Sequence, residues 1–392
     1  MNTEAFFAPC PRGLEAALAA ELRALNAADV SVADGGVGFA GPLDLVYHAN
    51  LESRIASRIL WRVGQGRYRN EDELYALVRD IDWPRLFKVE RTLRVDVAAT
   101  RSPLQSLEFA TLKIKDAVCD RFRDVAGVRP SIDKQRPEVR VHAFLAERDA
   151  TLYVDTSGEA LFKRGYRREA DLAPLRENLA AGIVALSEWT PGMPFLDPMC
   201  GSGTIAIEAA LIAADRAPGL RRSFGFQKLG WYDGPTWQRI HQRAHNRVRP
   251  HSGAATIHAS DVDARTIELC RRNLAEAGVA QWIEIVRADL LERSAPAPQG
   301  VLIANPPYGV RLESDAALAA FYPKLGDALK RAFAGWTASI MSGDARLPKL
   351  IGLKASRRTP LWNGALECRL YRFEIVAGRH LRVKADGTTV QQ

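Results

Sequence analysis

Two short stretches of this chain carry residues suited to chemistry, Phe195-Leu-Asp-Pro-Met-Cys-Gly-Ser-Gly-Thr-Ile205 and Asn305-Pro-Pro-Tyr-Gly309. The first reads as a buried strand ending at Asp197, a turn through Gly201 and Gly203, and a helix from Thr204 onward. Glycines let a backbone bend sharply and approach a ligand, and the free N–H groups that open the next helix face whatever sits there. Asp197 falls at the carboxyl end of its strand, where open α/β sheets bind ligands. The stretch lacks the third glycine of G-x-G-x-x-G, and no Gly-Lys-Ser/Thr follows, so it is neither a full dinucleotide fingerprint nor a P-loop. An acid before the turn suits an ammonium group better than a pyrophosphate, which suggests S-adenosylmethionine as the ligand. Asp197, Met199, Cys200, Gly201, Ser202 and Gly203 are then the candidate cofactor-binding loop. Cys200 lacks an evident His partner and reads as a small apolar loop residue instead of a nucleophile.

A second strand, Ile257-His-Ala-Ser-Asp-Val-Asp263, ends in two acids. Asp261 comes first after the strand and suits the ribose hydroxyls, whereas Asp263 suits the cap of a helix over 265–274. The separation from Asp197 far exceeds the roughly 20 residues of a dinucleotide fold. An insertion must lie between them, and residues 221–250 supply it.

With Cys10-Pro-Arg-Gly-Leu-Glu15, Gly35-Gly-Val-Gly-Phe39, Arg164-Gly-Tyr-Arg167 and Asp215-Arg-Ala-Pro-Gly-Leu220, these stretches make a combination. It resembles the class I S-adenosylmethionine-dependent amino-methyltransferases, and more narrowly the THUMP-domain rRNA guanine-N2-methyltransferases of the bacterial large-subunit (23S) type. The resemblance implies an α/β fold: a seven-stranded Rossmann-like methyltransferase domain preceded by small α+β ferredoxin-like and THUMP domains. The expected limits are 1–44 for the ferredoxin-like unit, 45–157 for THUMP, 158–190 for a linker and helix, 191–384 for the methyltransferase domain and 385–392 for a disordered tail. It also implies that Asp289, after the strand over 283–287, bonds the adenine amino group; an ordinary capping acid is the other reading. Some family members carry a second methyltransferase domain, and the end of this chain near the first predicts no second modification.

The resemblance assigns the catalytic stretch to Asn305, Pro306, Pro307 and Tyr308, with Asn305 also lining the cofactor site. An exocyclic amine on a base is a poor nucleophile because its lone pair is delocalised into the ring. The Asn305 side-chain oxygen and the Pro306 carbonyl can accept its two N–H bonds and aim the lone pair at the methyl group. Two prolines fix that backbone in advance, and Tyr308 can stack on a base flipped from its helix. Either guanine N2 or adenine N6 satisfies this arrangement. N2-guanine methylation of tRNA, N6-adenine methylation of DNA and a non-catalytic RNA-binding assembly factor therefore stand beside the 23S rRNA reading.

The 392 residues are 47% hydrophobic, enough for two domains with cores, and the net charge of +8 favours a polyanionic partner such as RNA. The five cysteines show no C-x-x-C pair and no metal-ligand spacing, which predicts a reduced, cytoplasmic setting and no metal. No apolar run is long enough for a signal peptide or a membrane span.

Hydrophobic spacing predicts strands over 6–10, 30–32, 35–40 and 60–63, and helices over 13–25, 43–49 and 53–59. It continues with helices over 71–78 and 106–122, strands over 93–98, 139–145 and 150–155, and a helix over 175–189 opened by Pro174. Strands over 195–197, 256–260, 283–287, 301–304 and 337–341 alternate with helices, and 368–375 reads as an antiparallel edge strand. The candidate RNA contacts fall in three places. Lys113 and Lys115 lie on the helix over 106–122, where cations also suit a helix end. Arg164, Tyr166 and Arg167 lie in Leu161-Phe-Lys-Arg-Gly-Tyr-Arg-Arg168, which reads equally as a base-stacking segment or a solvated linker. Arg221 and Arg222 open the basic aromatic insertion, whose Phe224, Phe226, Trp231 and Trp237 fit either RNA contact or core packing.

Overall fold

The structure, a computed structural model, describes residues 3–167, 175–251, 253, 256–306, 315–376, 382–383 and 389–390. The chain divides into two compact units, residues 1–165 with 215–248 and residues 166–214 with 249–392.

The first unit carries β1 (Glu4–Pro9), α1 (Glu15–Ala24), β2 (Ala28–Ala33), β3 (Gly36–Gly41), α2 (Leu45–Glu52) and β4 (Leu60–Arg67). It continues through α3 (Glu71–Asp80), α4 (Trp83–Leu86), β5 (Leu93–Ala99), α5 (Leu107–Ala126), β6 (Val139–Leu145) and β7 (Asp149–Asp155). Among the described residues its seven strands form one sheet in the order β2-β3-β1-β4-β7-β6-β5. Every pairing is antiparallel except β5 with β6, which need a crossover, and α5 supplies it. Leu18 and Leu22 of α1, with Leu14 just before it, are fully buried, as the spacing predicts. The Asn70 side chain caps α3 by accepting from Glu73 N, and the Ser106 side chain caps α5 by accepting from Phe109 N.

The helix expected over 53–59 does not form. Glu21 captures that segment, accepting from Ser53 Oγ at 2.8 Å and from the Arg54 and Ile55 amides at 3.3 Å, while the Ser57 amide donates to Pro9 O at 2.7 Å. Tertiary acceptors thus hold the segment, and Pro9 O takes the Ser57 N–H that a helix over 53–59 would have bonded to Ser53 O.

The second unit opens with α6 (Glu177–Leu186), β8 (Phe195–Asp197) and α7 (Thr204–Ala213). After the excursion that carries α8 (Gly234–Asn246), it resumes with β9 (Ile257–Asp261), α9 (Ala264–Ala277), β10 (Ile283–Arg287), β11 (Gly300–Ala304), α10 (Asp315–Ala332) and β12 (Trp336–Ser342). It ends with α11 (Leu347–Leu350), β13 (Arg357–Asn363), β14 (Leu366–Glu374), β15 (Arg382–Val383) and β16 (Thr389–Val390). The main sheet runs β10-β9-β8-β11-β12-β14-β13, parallel through β12 and antiparallel beyond. The strand expected at the edge over 368–375 is β14, antiparallel as read, but it lies inside because β13 covers it. Pro360 in β13 fits an edge, where a missing N–H costs no ladder bond. Residues 385–388 and 391–392 of the expected tail, and Pro174, lie outside the described residues, while β15 pairs with β16.

α7 is buried on nearly every side, as its run Thr-Ile-Ala-Ile-Glu-Ala-Ala-Leu-Ile-Ala requires. Leu302, Tyr322, Leu325, Leu329, Phe333 and Trp336 anchor the core on the β11–β12 side, each large apolar side chain contributing about 1.5–3 kcal/mol by burial. Among the described residues no helix is long and apolar enough to cross a membrane.

Candidate functional site

Strand order reverses at β8, whose neighbours are β9 on one side and β11 on the other. Such a switch point leaves a crevice beyond the carboxyl ends of the strands. Registers place three polar residues along that edge: Leu196 pairs with Leu302 and Asp197 with Ala259, so Asp197, Asp261 and Asn305 all sit at or just past strand ends.

Asp197 is fully buried, and neither carboxylate oxygen makes a hydrogen bond of normal geometry. Burial first, and the Asp261 carboxylate second, push its pKa from 3.8 to about 8, while the backbone at Ala206 and Met199 pulls the other way. An orphaned buried acid of this kind fits an incoming cation that would ionise and pair it.

The loop after it is held from below. The Cys200 amide donates to Ser260 O at 2.9 Å, the Gly201 amide to Asp261 Oδ2 at 3.0 Å, and Asn273 Nδ2 to Ser202 O at 2.9 Å. Gly201 and Gly203 take φ of 53° and 87°, and Gly203 is the residue immediately before α7. A Cβ on Gly203 would meet Cys270 Sγ at 2.5 Å, so positive φ and close approach both require glycine there. Met199 is half-buried against the core, and Ser202 is buried with Oγ 3.5 Å from Thr204 Oγ1. Contact with the Cys270 thiol, then burial, drives the Cys200 pKa far above the ordinary thiol range, which fits an inert loop residue.

The Asp261 carboxylate accepts from Gly201 N and, through Oδ1, from Asp263 N at 3.1 Å. Those bonds fix its orientation while each oxygen keeps a lone pair. Asp263 caps α9, accepting from the Arg265 amide at 2.8 Å and from Thr266 Oγ1 at 3.3 Å. Asp289 is exposed after β10, and its Oδ1 accepts from the Leu291 amide at 2.9 Å, a local turn.

Asn305 and Pro306 follow β11, whose five residues are all buried. Asn305 is half-buried, and its Oδ1 is buried without a hydrogen-bond partner among the described residues. Pro307 and Tyr308 lie outside the described residues. Among the described residues the edge thus presents two acceptors without a hydrogen bond of normal geometry, the Asp197 carboxylate and Asn305 Oδ1, which suit an ammonium and an amine respectively.

The residues singled out for RNA divide by exposure. Arg164 is only 6% exposed and donates to Leu161 O at 2.6 Å and Arg54 O at 2.5 Å. Tyr166 is 4% exposed, with its hydroxyl 3.4 Å from Glu208 Oε1. Arg222 donates to Ala160 O at 2.8 Å and lies over the Phe224 ring, and burial lowers its pKa to about 10. RNA would have to compete with these internal bonds. Lys113 pairs with Asp72 at 3.0 Å and Lys115 with Asp116 at 3.0 Å, both half-exposed, and Arg221 is exposed.

Arg167 turns toward the candidate cofactor loop. Its Nη2 donates to Thr204 Oγ1 at 2.7 Å, in the first turn of α7, and to Leu175 O at 3.2 Å; Nη1 is 3.7 Å from Glu177 Oε1. Sequence reasoning missed this pair and Asn273. The Arg164-Gly-Tyr-Arg167 stretch was the available signal for the first, and nothing in the spacing marked the second.

The excursion resolves toward packing. Phe224, Phe226 and Trp237 are buried, and Tyr47 stands 4.8 Å from Phe226 and 5.6 Å from Trp231 between ring centroids. Arg239 and Arg243 stay on the exposed face of α8.

Comparison with known proteins gives three family matches along the chain: an RlmL ferredoxin-like domain over 5–60, a THUMP domain over 68–155 and an RMKL-like methyltransferase domain over 164–372. Among solved structures, SMU.472, described as a methyltransferase and complexed with SAH, is 32% identical, with a TM-score of 0.88 over 97% of this chain and 100% of that one. A protein from Listeria monocytogenes str. 4b F2365, named for N6-adenine-specific DNA methylation, is 30% identical, with a TM-score of 0.86 over 96% and 97%. TrmN from Thermus thermophilus is 22% identical, with a TM-score of 0.69 over 95% and 100%, a likeness of fold.

Proposed function

Because the chain belongs to the RMKL-like methyltransferases, we propose that it transfers a methyl group from S-adenosylmethionine to the exocyclic N2 amine of a guanine in 23S rRNA. The observation that carries this reading is the pair of unpaired buried acceptors at one sheet edge, the Asp197 carboxylate and Asn305 Oδ1. The THUMP match over 68–155 supports RNA as the substrate class, with the first unit holding it.

The residues fit the cofactor by chemistry. Asp197 receives its ammonium group, the glycine loop and the amides opening α7 lie along it, Asp261 accepts from the ribose hydroxyls with the lone pairs its two backbone bonds leave over, and Asp289 accepts from the adenine amine. Bound there, S-adenosylmethionine would supply an electrophilic methyl carbon on a sulfonium, whose sulfur can take the bonding pair as the leaving group. Asn305 Oδ1 and the Pro306 carbonyl accept the two N–H bonds of the target amine and so turn its lone pair toward that carbon. The proton lost afterwards is acidic on the alkylated nitrogen and needs no strong base. Pro307 and Tyr308, assigned to the same stretch, complete the proposal as backbone constraint and stacking platform.

The Listeria relative's name favours a second reading, N6-adenine methylation of DNA, because Asn305 can orient either amine. Transfer from labelled cofactor to undermethylated rRNA, tRNA and DNA, followed by nucleoside analysis, separates them. N2-methylguanosine in 23S rRNA is the expected product, and N6-methyladenosine in DNA would overturn it. Asn305→Ala should lower turnover by about 100-fold or more with RNA affinity unchanged. Weakened RNA affinity with turnover intact would instead make Asn305 a binding residue.

A further inference from the structure

A groove of about 730 Å³ in the first unit is lined by Arg67, Tyr68, Arg69, Arg148 and Glu73, with Ala76 and Leu77 of α3 along its side. Its geometry follows from the strands. Tyr68 is fully buried, its hydroxyl 2.8 Å from both Ser102 Oγ and Ala146 O, so the residues on either side of it turn to the opposite, exposed face. The Tyr68 amide donates to Arg148 O at 3.0 Å, which brings the β6–β7 turn alongside the end of β4. Gly66 lets α3 close the other wall, since a Cβ there would meet Leu77 Cδ1 at 2.6 Å.

The charges in this groove do not cancel. Glu73 is claimed by Arg69, whose Nε and Nη2 donate to Oε1 at 2.9 and 2.5 Å. Arg67 stands opposite Asp149 in the β4–β7 register, yet no ion pair to either Arg67 or Arg148 forms among the described residues. Both guanidiniums line the same groove, and neither is neutralised by an ion pair among the described residues. Their planar donor forks match phosphate oxygens, and the aliphatic side of α3 suits a sugar.

We propose that this groove binds phosphates of the RNA backbone, with Arg67 and Arg148 as the phosphate contacts. The proposal rests on the reading of the chain as an RNA methyltransferase. A free phosphate or mononucleotide shares the same chemistry, and the test distinguishes the two sources.

Affinity of the full chain for a 23S rRNA fragment would be measured across a salt series for the wild type, Arg67→Gln/Arg148→Gln and Arg67→Lys/Arg148→Lys. Inorganic phosphate and a mononucleotide would be titrated in parallel, and the thermal unfolding of the full chain would report on folding. Both side chains are exposed and away from the core, so the variants should fold. The Gln pair should bind RNA about tenfold more weakly near physiological salt, with a log K against log salt slope smaller by about 1.4. The Lys pair should keep most of the slope while losing part of the affinity, as point charges replace forks. An unchanged affinity and slope in the Gln pair would overturn the groove as an RNA site. Loss of mononucleotide or phosphate binding with RNA binding intact would overturn it in favour of a small-ligand pocket. A wild type that binds no RNA at all would sink the underlying reading as well, and that failure shows without any variant.

Discussion

A buried acid with no hydrogen bond of normal geometry, set beside a second acid, holds its proton at neutral pH. Asp197 is such a group: its pKa stands near 8 against 3.8 for the free side chain. Between those values the folded chain binds a proton that the unfolded chain has lost, so this group makes stability fall as pH rises through that window. Cofactor binding runs the other way, because an ammonium pairs with the ionised form. Affinity for SAH should rise with pH toward 8, and binding at pH 7 should release close to one proton. Calorimetry in two buffers of different ionisation enthalpy measures that number; a value near zero would show Asp197 already ionised. Asp197→Asn should weaken SAH by at least about tenfold and flatten the pH profile. Arg167 makes a second prediction at this scale. Its bonds to Thr204 and Leu175 act on the loop, not on RNA, so Arg167→Ala should weaken SAH by about ten- to a hundredfold, the range for bonds to a charged group. Arg167→Lys should recover part of that, and the RNA affinity of both should match the wild type. A fall in RNA affinity with SAH unaffected would return Arg167 to the RNA-contact role.

The turn between β8 and α7 separates two glycines that the sequence shows as alike. Gly201 at φ 53° has nothing within 4 Å of an added Cβ, whereas Gly203 at φ 87° has the Cys270 sulfur at 2.5 Å. Gly201→Ala should cost roughly 1–2 kcal/mol, the left-handed penalty alone, and leave a foldable chain. Gly203→Ala adds a clash to that penalty and should cost roughly 2–4 kcal/mol in thermal or denaturant unfolding, with SAH binding lost. Equal effects of the two would mean that Cys270 yields more easily than its buried position suggests. The strands that place this turn were legible because each is a short apolar run closed by an acid, an amide or a polar turn: Phe195–Asp197, Ile257–Asp261 and Gly300–Ala304 with Asn305 after it. β13 was not, since Arg357-Arg-Thr-Pro-Leu-Trp-Asn363 has neither clean alternation nor freedom from proline, and only an edge position tolerates that. The false helix over 53–59 failed for the opposite reason. Its local pattern was adequate, and Glu21, over 30 residues earlier, outbid it.

At the level of the whole chain, the first unit is built from two separated segments, and the second is the excursion over 215–248. Its length was legible from the spacing of Asp197 and Asp261, and its aromatics from composition, but its destination was not. Tyr47 and Trp61 lie far upstream, and no periodicity links them to Phe226 and Trp231. In the folded chain Tyr47 is 2% exposed, with Phe226, Trp231, Tyr232 and Trp237 within 6.3 Å of its ring centre, and its hydroxyl accepts from the Asp233 amide at 2.8 Å. A fragment of residues 1–165 therefore exposes an aromatic surface that the full chain buries, even though it contains every strand of the first sheet. That fragment should melt without a cooperative transition and bind a hydrophobic dye, and one carrying residues 215–248 on a flexible linker should recover the transition. In the full chain Trp237→Ala should destabilise the first unit by about 3–5 kcal/mol. A fragment of 1–165 that melts as sharply as its extended form would show that the excursion decorates a unit already complete. The cooperative gain on adding it would show that the first unit draws part of its core from a segment between the two acids of the cofactor site.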